Sequence, residues 1–237
     1  MTNSDRFIDA YNRIDEILDD EFGGQVYLSF SKKVVRSRNA VVRQFKEELL
    51  DYGELRNAIV HTPRRGKVPE LIAEPHIDVC DRIEMILSEL EKPKRVFPLF
   101  GERVTTVKVN DSIRRILEQV VRDSYSQFPV YDEDGLIVEI INTNTIARWV
   151  SAKMLEGDSI SFEDTRVSDF FEYIEFERNF RFIRKDASIY EAYEMFIDTI
   201  DNHRRNLDVI CITENGKRTE KILGMITIED ITSEIEF

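Results

Sequence analysis

Apolar positions in the first hundred residues recur at helical spacing. "SDRFIDAYNRIDEILDDEFGG" places Phe7, Ile8, Tyr11, Ile14, Ile17 and Leu18 on one face, with Ser4 as the expected N-cap and Gly23-Gly24 as the stop. A second helix is expected from after Ser31 through Ile59. From Val41 onward its apolar residues fall three or four apart: Val41, Phe45, Leu49, Tyr52, Leu55 and Ile59. Pro63 disfavours helical geometry at Thr62, so this helix should end near His61. A Pro-flanked basic loop follows, then a third helix, "HIDVCDRIEMILSELEK", and "KPKRVFPLFGER" reads as a linker.

From there the period changes. Short β-rich runs alternate with helical ones, and the order repeats. "VKVNDSIRRILEQVV" resembles "RFIRKDASIYEAYEMF", and "FPVYDEDGLIVEIINTNTIARWV" resembles "DVICITENGKRTEKILGMITIEDITSEI". Ser112 maps to Ser188, Gly135 to Gly216 and Asn142 to Thr227, at offsets of 76, 81 and 85. The offset grows because the second copy has longer loops, at "DNHRRN" and "GKRTEK". A strand-helix-strand-strand-helix unit present twice packs its two sheets into one pseudo-symmetric domain. The expected class is therefore α+β: an all-helical domain over 1–94, then a paired domain over 97–237. Its copies span about 97–155 and about 166–235.

Composition adds limits. Of 237 residues, 42% are hydrophobic and 33% charged, as in globular chains. No apolar run approaches the ~18–20 residues that span a bilayer, and the N-terminus is acidic and amphipathic, unlike a targeting peptide. Cys80 and Cys211 suggest no disulfide framework, so a cytoplasmic location is expected. Net charge is −13, which argues against nucleic acid until its distribution is considered. Residues 31–67 carry 10 basic and 4 acidic side chains, a basic island in an acidic chain where a phosphodiester could dock.

The repeat resembles a tandem pair of CBS domains, a Bateman module, over roughly 97–235. "GMITIEDI" (Gly224 to Ile231) fits that family's Gly-x-apolar-Thr-x-x-Asp pattern. The resemblance implies an adenine nucleotide (AMP, ADP, ATP or a signalling form) as regulatory ligand. Thr227 and Asp230 would hold its phosphate and ribose. The same residue types serve a simpler purpose, Thr227 capping its helix and Asp230 lying in the first turn beside the dipole. Copy one reads "EIINTNTI", with Glu139 for Gly, Asn142 for Thr and Thr145 for Asp. Asn142 can still cap or bind phosphate. Thr145 cannot grip a ribose diol as a carboxylate does, and Glu139 would repel phosphate. One good cleft and one poor one are expected.

The basic island surrounds Arg56-Asn57-Ala58-Ile59-Val60-His61, near the end of the long second helix. Arg followed four residues later by His resembles the HEPN domain, whose members include many ribonucleases. "FIDAYNRIDEILDDEFG" also looks like that family's first helix. The resemblance implies a homodimer with a composite, metal-independent site, RNA as substrate, and Arg56, Asn57 and His61 as its working residues. At about 100° per residue, His61 stands about 200° from Ile59 and so off the core stripe. Asn57 is one turn before it and could orient the ring. A surface histidine favoured by the helix dipole is the plainer reading.

A metal site at His76 and Cys80, one turn apart, lacks two further ligands, and none is expected. "DNHRRN" reads as a solvated loop whose Arg204 and Arg205 could reach a phosphate. Three functions are in play: a nucleotide-regulated endoribonuclease, a non-catalytic nucleotide-binding adaptor whose helices only dimerise or recruit a partner, and an antiphage effector gated by a signalling nucleotide.

Overall fold

The computed structural model describes residues 2–23, 28–60, 74–101, 104–157, 160–203 and 206–235. His61 and the basic residues Arg64, Arg65, Lys67, Arg204 and Arg205 lie outside them. The chain forms two compact units, Met1–Lys94 and Arg95–Phe237, the first all helical and the second mixed, so the class is α+β. No helix among the described residues is long and apolar enough to cross a membrane.

In the first unit α1 (Asn3–Glu21) buries Phe7, Ala10, Tyr11, Ile14 and Leu18. Its N-cap is Thr2 rather than Ser4: Thr2 and Asp5 form a reciprocal capping box. Ser4 is buried instead, and its hydroxyl donates to Glu74 at 2.7 Å. The expected second helix is three: α2 (Phe30–Arg36), α3 (Ala40–Gln44) and α4 (Lys46–Val60). The break follows from polar residues with better partners elsewhere. The Ser37 hydroxyl and Arg38 N–H donate to the Glu21 carboxylate at 2.6 and 2.7 Å, and Asn39 caps α3 by accepting from Val41 N–H at 2.9 Å. Helix α5 (Ile77–Glu91) packs on α1, where the Arg6 guanidinium bonds Glu84 and Asp81. Lys33 of α2, only 4% exposed, is bound by Asp15 and Asp19 of α1.

The second unit opens with a short helix, α6 (Val96–Leu99). Copy one comprises β1 (Val107–Lys108), α7 (Arg114–Asp123), β2 (Gln127–Tyr131), β3 (Ile137–Asn142) and α8 (Thr143–Glu156). Copy two comprises β4 (Phe180–Arg184), α9 (Ile189–His203), β5 (Val209–Thr213), β6 (Gly224–Ile226) and α10 (Ile228–Thr232). In both copies the first strand runs parallel to the second and the second antiparallel to the third. Gly135 and Gly216, in the turns between the second and third strands, have φ of 75° and 74°, a conformation that glycine adopts without steric cost. In copy one, Phe128, Val130 and Ile141 of the sheet pack with Ile116 of α7 and Trp149 of α8. A second cluster joins the copies: Ile137 and Ile140 of β3 meet Phe180, Val209, Cys211 and Ile222, with Tyr131 and Met225 against them. A three-stranded sheet with two apolar faces needs both covered, and the partner copy covers the second.

The segments leading into the copies are exchanged. Val96 and Phe97 N–H donate to Ala187 and Lys185 carbonyls of copy two at 2.9 and 3.2 Å. Val167 and Ser168 N–H, which precede copy two, donate to Asp111 and Val109 of copy one, both at 3.0 Å. Arg95-Val96 and Arg166-Val167 hold matching places, so the expected linker is the start of the repeat. Past this point the incoming chain crosses Gly224 so closely that a Cβ there would lie 2.0 Å from the Phe100 carbonyl oxygen. Gly224→Ala should destabilise the protein by roughly 1–3 kcal/mol, the usual range for overpacking, in urea denaturation. An unchanged urea midpoint would contradict that contact.

Candidate ligand clefts

Each copy ends in a strand-to-helix turn, and each turn faces a cleft. In copy two the Thr227 hydroxyl accepts from Asp230 N–H at 3.4 Å, while the Asp230 carboxylate reaches back. Its Oδ2 accepts from Thr227 N–H at 2.7 Å and from the Thr227 hydroxyl at 2.8 Å. Asp230 Oδ1 has no hydrogen-bond partner among the described residues. Capping therefore occupies one carboxylate oxygen and leaves the other open. The cleft in front of this turn encloses about 190 Å³. Val209 and Met225 supply apolar wall, Val104 and Thr105 come from the chain leading into copy one, Ser124 to Ser126 come from the α7–β2 connection, and Gln127 opens β2.

The pseudo-equivalent cleft of about 170 Å³ lies before Asn142 and Thr145. Here the cap runs in the opposite sense: Asn142 Oδ1 accepts both the N–H and the hydroxyl of Thr145, at 2.8 and 3.0 Å. Exchanging Thr and Asp for Asn and Thr keeps the helix start intact. It leaves no carboxylate at the turn, and the Thr145 side chain is buried. The other walls include Glu175 and Asp208, so this cleft is polar and acidic.

Glu139 occupies the place that glycine holds in copy two, and it is not a free repulsive charge beside a ligand. Only 6% exposed, its carboxylate accepts from Arg178 N–H at 2.8 and 3.1 Å and from Ile140 N–H at 3.0 Å. It thus clasps the chain entering copy two, where Gly224 instead lets the chain entering copy one pass closely. Burial pushes its carboxyl above the ordinary range against those hydrogen bonds, with Glu177 and Asp208 adding to the rise.

In the helical unit Arg56 is half-buried, its guanidinium 5.8 Å from the centre of the Tyr11 ring. One Arg56 nitrogen lies 3.5 Å from Asn57 Oδ1, the outer limit of a hydrogen bond, and Asn57 is exposed. Helix α4 carries both, one step apart. His61 is outside the described residues, so the structure does not bring the three together. His76 is the N-cap of α5, and the Cys80 thiol is buried against the Asn3 carbonyl. The residues that sequence reasoning missed are Thr105, Ser124, Tyr125, Ser126 and Gln127. Tracing the repeat across to the opposite copy would have pointed to them, because each cleft borrows the chain that leads into the other copy's second strand.

The family model of the CBS domain matches residues 99–152 and 167–236, more than half of the chain. Among solved structures, the CBS domain of a CBS-domain-containing membrane protein from Sphaerobacter thermophilus is 13% identical. That match covers 66% of this chain and 96% of that one, with a TM-score of 0.45. A putative signal-transduction protein with CBS domains from Burkholderia ambifaria is 19% identical, covering 61% and 98%, TM-score 0.42. CBSX2, solved in complex with AMP, is 14% identical, covering 59% and 94%, TM-score 0.41. No curated protein matches the chain.

The raised Glu139 carboxyl has a stability signature. A folded-state value above the unfolded one means that the native state holds the proton to higher pH. Its contribution is then fully present below the unfolded value and is lost as pH rises through the folded one. Relative to Glu139→Gln, which does not titrate, wild-type stability in urea should fall as pH rises above the ordinary glutamate value. A difference that is flat or grows with pH would contradict this.

Proposed function

This chain belongs to the CBS-domain family, and from that premise we propose that residues 97–237 sense an adenine nucleotide and regulate the helical domain, residues 1–94. The observation that carries the reading is Asp230: a carboxylate fixed by its own cap, with one oxygen open to a cleft of mixed apolar and hydroxyl character. Such an oxygen accepts from the vicinal hydroxyls of a ribose. Asn142 and Thr145 offer no equivalent, so the ligand occupies one cleft per chain.

For the helical domain we propose a metal-independent endoribonuclease of HEPN type, acting as a homodimer. RNA brings its own nucleophile, the 2′-hydroxyl. His61 would transfer protons near neutral pH, as an imidazole with an ordinary value of about 6.5 can. Arg56 would stabilise charge on the phosphorane, and Asn57 would orient His61. The products are a 2′,3′-cyclic phosphate and a 5′-hydroxyl. Support comes from the Arg-x4-His spacing and from the basic residues at 31–67. A second reading, a non-catalytic adaptor, is favoured by one contact: Arg56 packs on Tyr11 of α1, a use of the side chain that needs no substrate.

Calorimetry with AMP tests the sensor. Wild type should bind one AMP per chain, and Asp230→Ala should lose about 1–3 kcal/mol of binding. Because Asp230 also belongs to the capping box, Asp230→Asn, which keeps an acceptor for Thr227, should weaken binding while preserving the melting temperature. Equal affinity in all three proteins contradicts the site. Labelled RNA, with and without a nucleotide panel, tests the effector. His61→Ala should slow cleavage by roughly 10²–10⁴-fold, and Arg56→Ala by roughly 10²–10³-fold. Intact RNA under every condition would leave the adaptor reading.

A further inference from the structure

The insert that lengthens copy two, "GKRTEK" between β5 and β6, is fastened at several points. Within it, Glu220 accepts from the Asn215 side-chain amide at 2.8 Å and from the Asn215 N–H at 2.7 Å. Those bonds hold its carboxyl down at about 2, so its charge is committed to the loop. Arg218 Nε donates to the Ile137 carbonyl of copy one at 2.6 Å, and the Ile222 N–H donates to the Tyr131 hydroxyl. The insert is a fixed wall laid against the other copy.

The two hairpin turns then part ways. In copy two the turn folds back over the end of β4: Asn215 bridges Arg184, and a Cβ on Gly216 would lie 3.1 Å from the Arg184 nitrogen. In copy one a Cβ on Gly135 would meet nothing within 4 Å. That turn stands clear, and a groove of about 790 Å³ opens among it, the start of β1 and α7, and the insert. Its size falls within the ~300–1,000 Å³ of ligand pockets. It shares no lining residue with either cleft at the strand-to-helix turns.

The charges in this groove are sorted by wall. Lys108 and Arg115 come from β1 and α7, Lys221 from the insert, and Asp132 and Glu133 from the hairpin of copy one. Several carboxylate oxygens are spent on backbone: Asp111 accepts from the Lys108 N–H at 2.9 Å, and Asp132 from the Leu136 N–H at 2.8 Å. The side chains of Lys108, Lys221 and Glu133 are exposed and make no hydrogen bond or ion pair among the described residues. Two ammonium groups and one carboxylate are therefore open in one groove. A net anion would approach against a chain of charge −13 and meet Glu133, while a cation would meet the lysines. A molecule carrying both signs is complementary to all three and indifferent to the net field.

We infer that this groove is a ligand site of its own and takes a small zwitterion, a free amino acid or a short peptide. The ligand carboxylate lies on the lysine side and its ammonium at Glu133. The inference does not depend on nucleotide binding at Asp230.

The test is an amide NMR titration of the full chain with the common free amino acids and glycylglycine. At least one should shift amides at 106–108, 131–135 and 219–221 and leave 142–145 and 227–230 in place. For that ligand, acetylating the ammonium or amidating the carboxylate should each weaken binding about ten-fold or more, the scale of one lost charged hydrogen bond. Glu133→Gln, and the double variant Lys108→Gln with Lys221→Gln, should weaken it similarly. Both should melt with wild type, because these side chains are exposed. No binding by any of these compounds at about 10 mM, ten-fold above a millimolar Kd, would overturn the inference. So would an N-acetylated ligand that binds as tightly as its parent, which would make the groove a plain anion site. Wild-type affinity in both variants would overturn it as well.

Discussion

The second unit depends on a backbone exchange. Each copy presents a three-stranded sheet whose second apolar face it cannot cover alone, and each is completed by chain that belongs, in sequence order, before the other. The pairing of 96–97 with 185–187 and of 167–168 with 109–111 is one interaction used twice. It brings the incoming chain past the ends of the opposite sheet, and those ends are where the clefts open. Val104 and Thr105 reach the cleft of copy two by this route, and Ile174 to Phe176 reach that of copy one. Cleft geometry and domain pairing are therefore set by the same contacts.

Within that shared frame the copies have diverged at the residue where the chain crosses. Gly224 admits the Phe100 carbonyl by having no side chain. Glu139 holds Arg178 N–H by having a long acidic one, itself buried at the cost of desolvation. The caps differ in the same spirit. Thr227 and Asp230 share two hydrogen bonds to one oxygen and leave a second carboxylate oxygen unused, whereas Asn142 and Thr145 leave no negative charge at the turn. Both solutions start a helix. The arrangement in copy two also leaves a charged acceptor at the cleft.

The repeat was legible in the sequence because its strands and helices alternate with strong periodicity and because Gly135 and Gly216 mark turns needing positive φ. The start of the repeat was not. Arg95-Val96 and Arg166-Val167 are too short for a period to register, and their significance lies in pairing across the unit. The division of 30–60 into three helices was hidden for a similar reason. Its apolar spacing continues, and the break comes from Ser37 and Arg38 bonding Glu21 of another helix. Glu139 looked like a charge set against phosphate, since its backbone partner is 39 residues away. The spacing of Thr227 and Asp230 marks a helix start, which their capping box provides, but does not show the use of the Thr227 proton within the turn. Tyr125 carried no local signal at all.

The central claim is that one cleft, before Thr227 and Asp230, takes the ligand and its pseudo-equivalent does not. Amide hydrogen exchange of the full chain with and without AMP measures this most directly. The account predicts slower exchange at 104–105, 124–127 and 225–230, with 142–145, 174–176 and 206–208 unchanged. Protection centred on the second set, or equal protection of both, would contradict it.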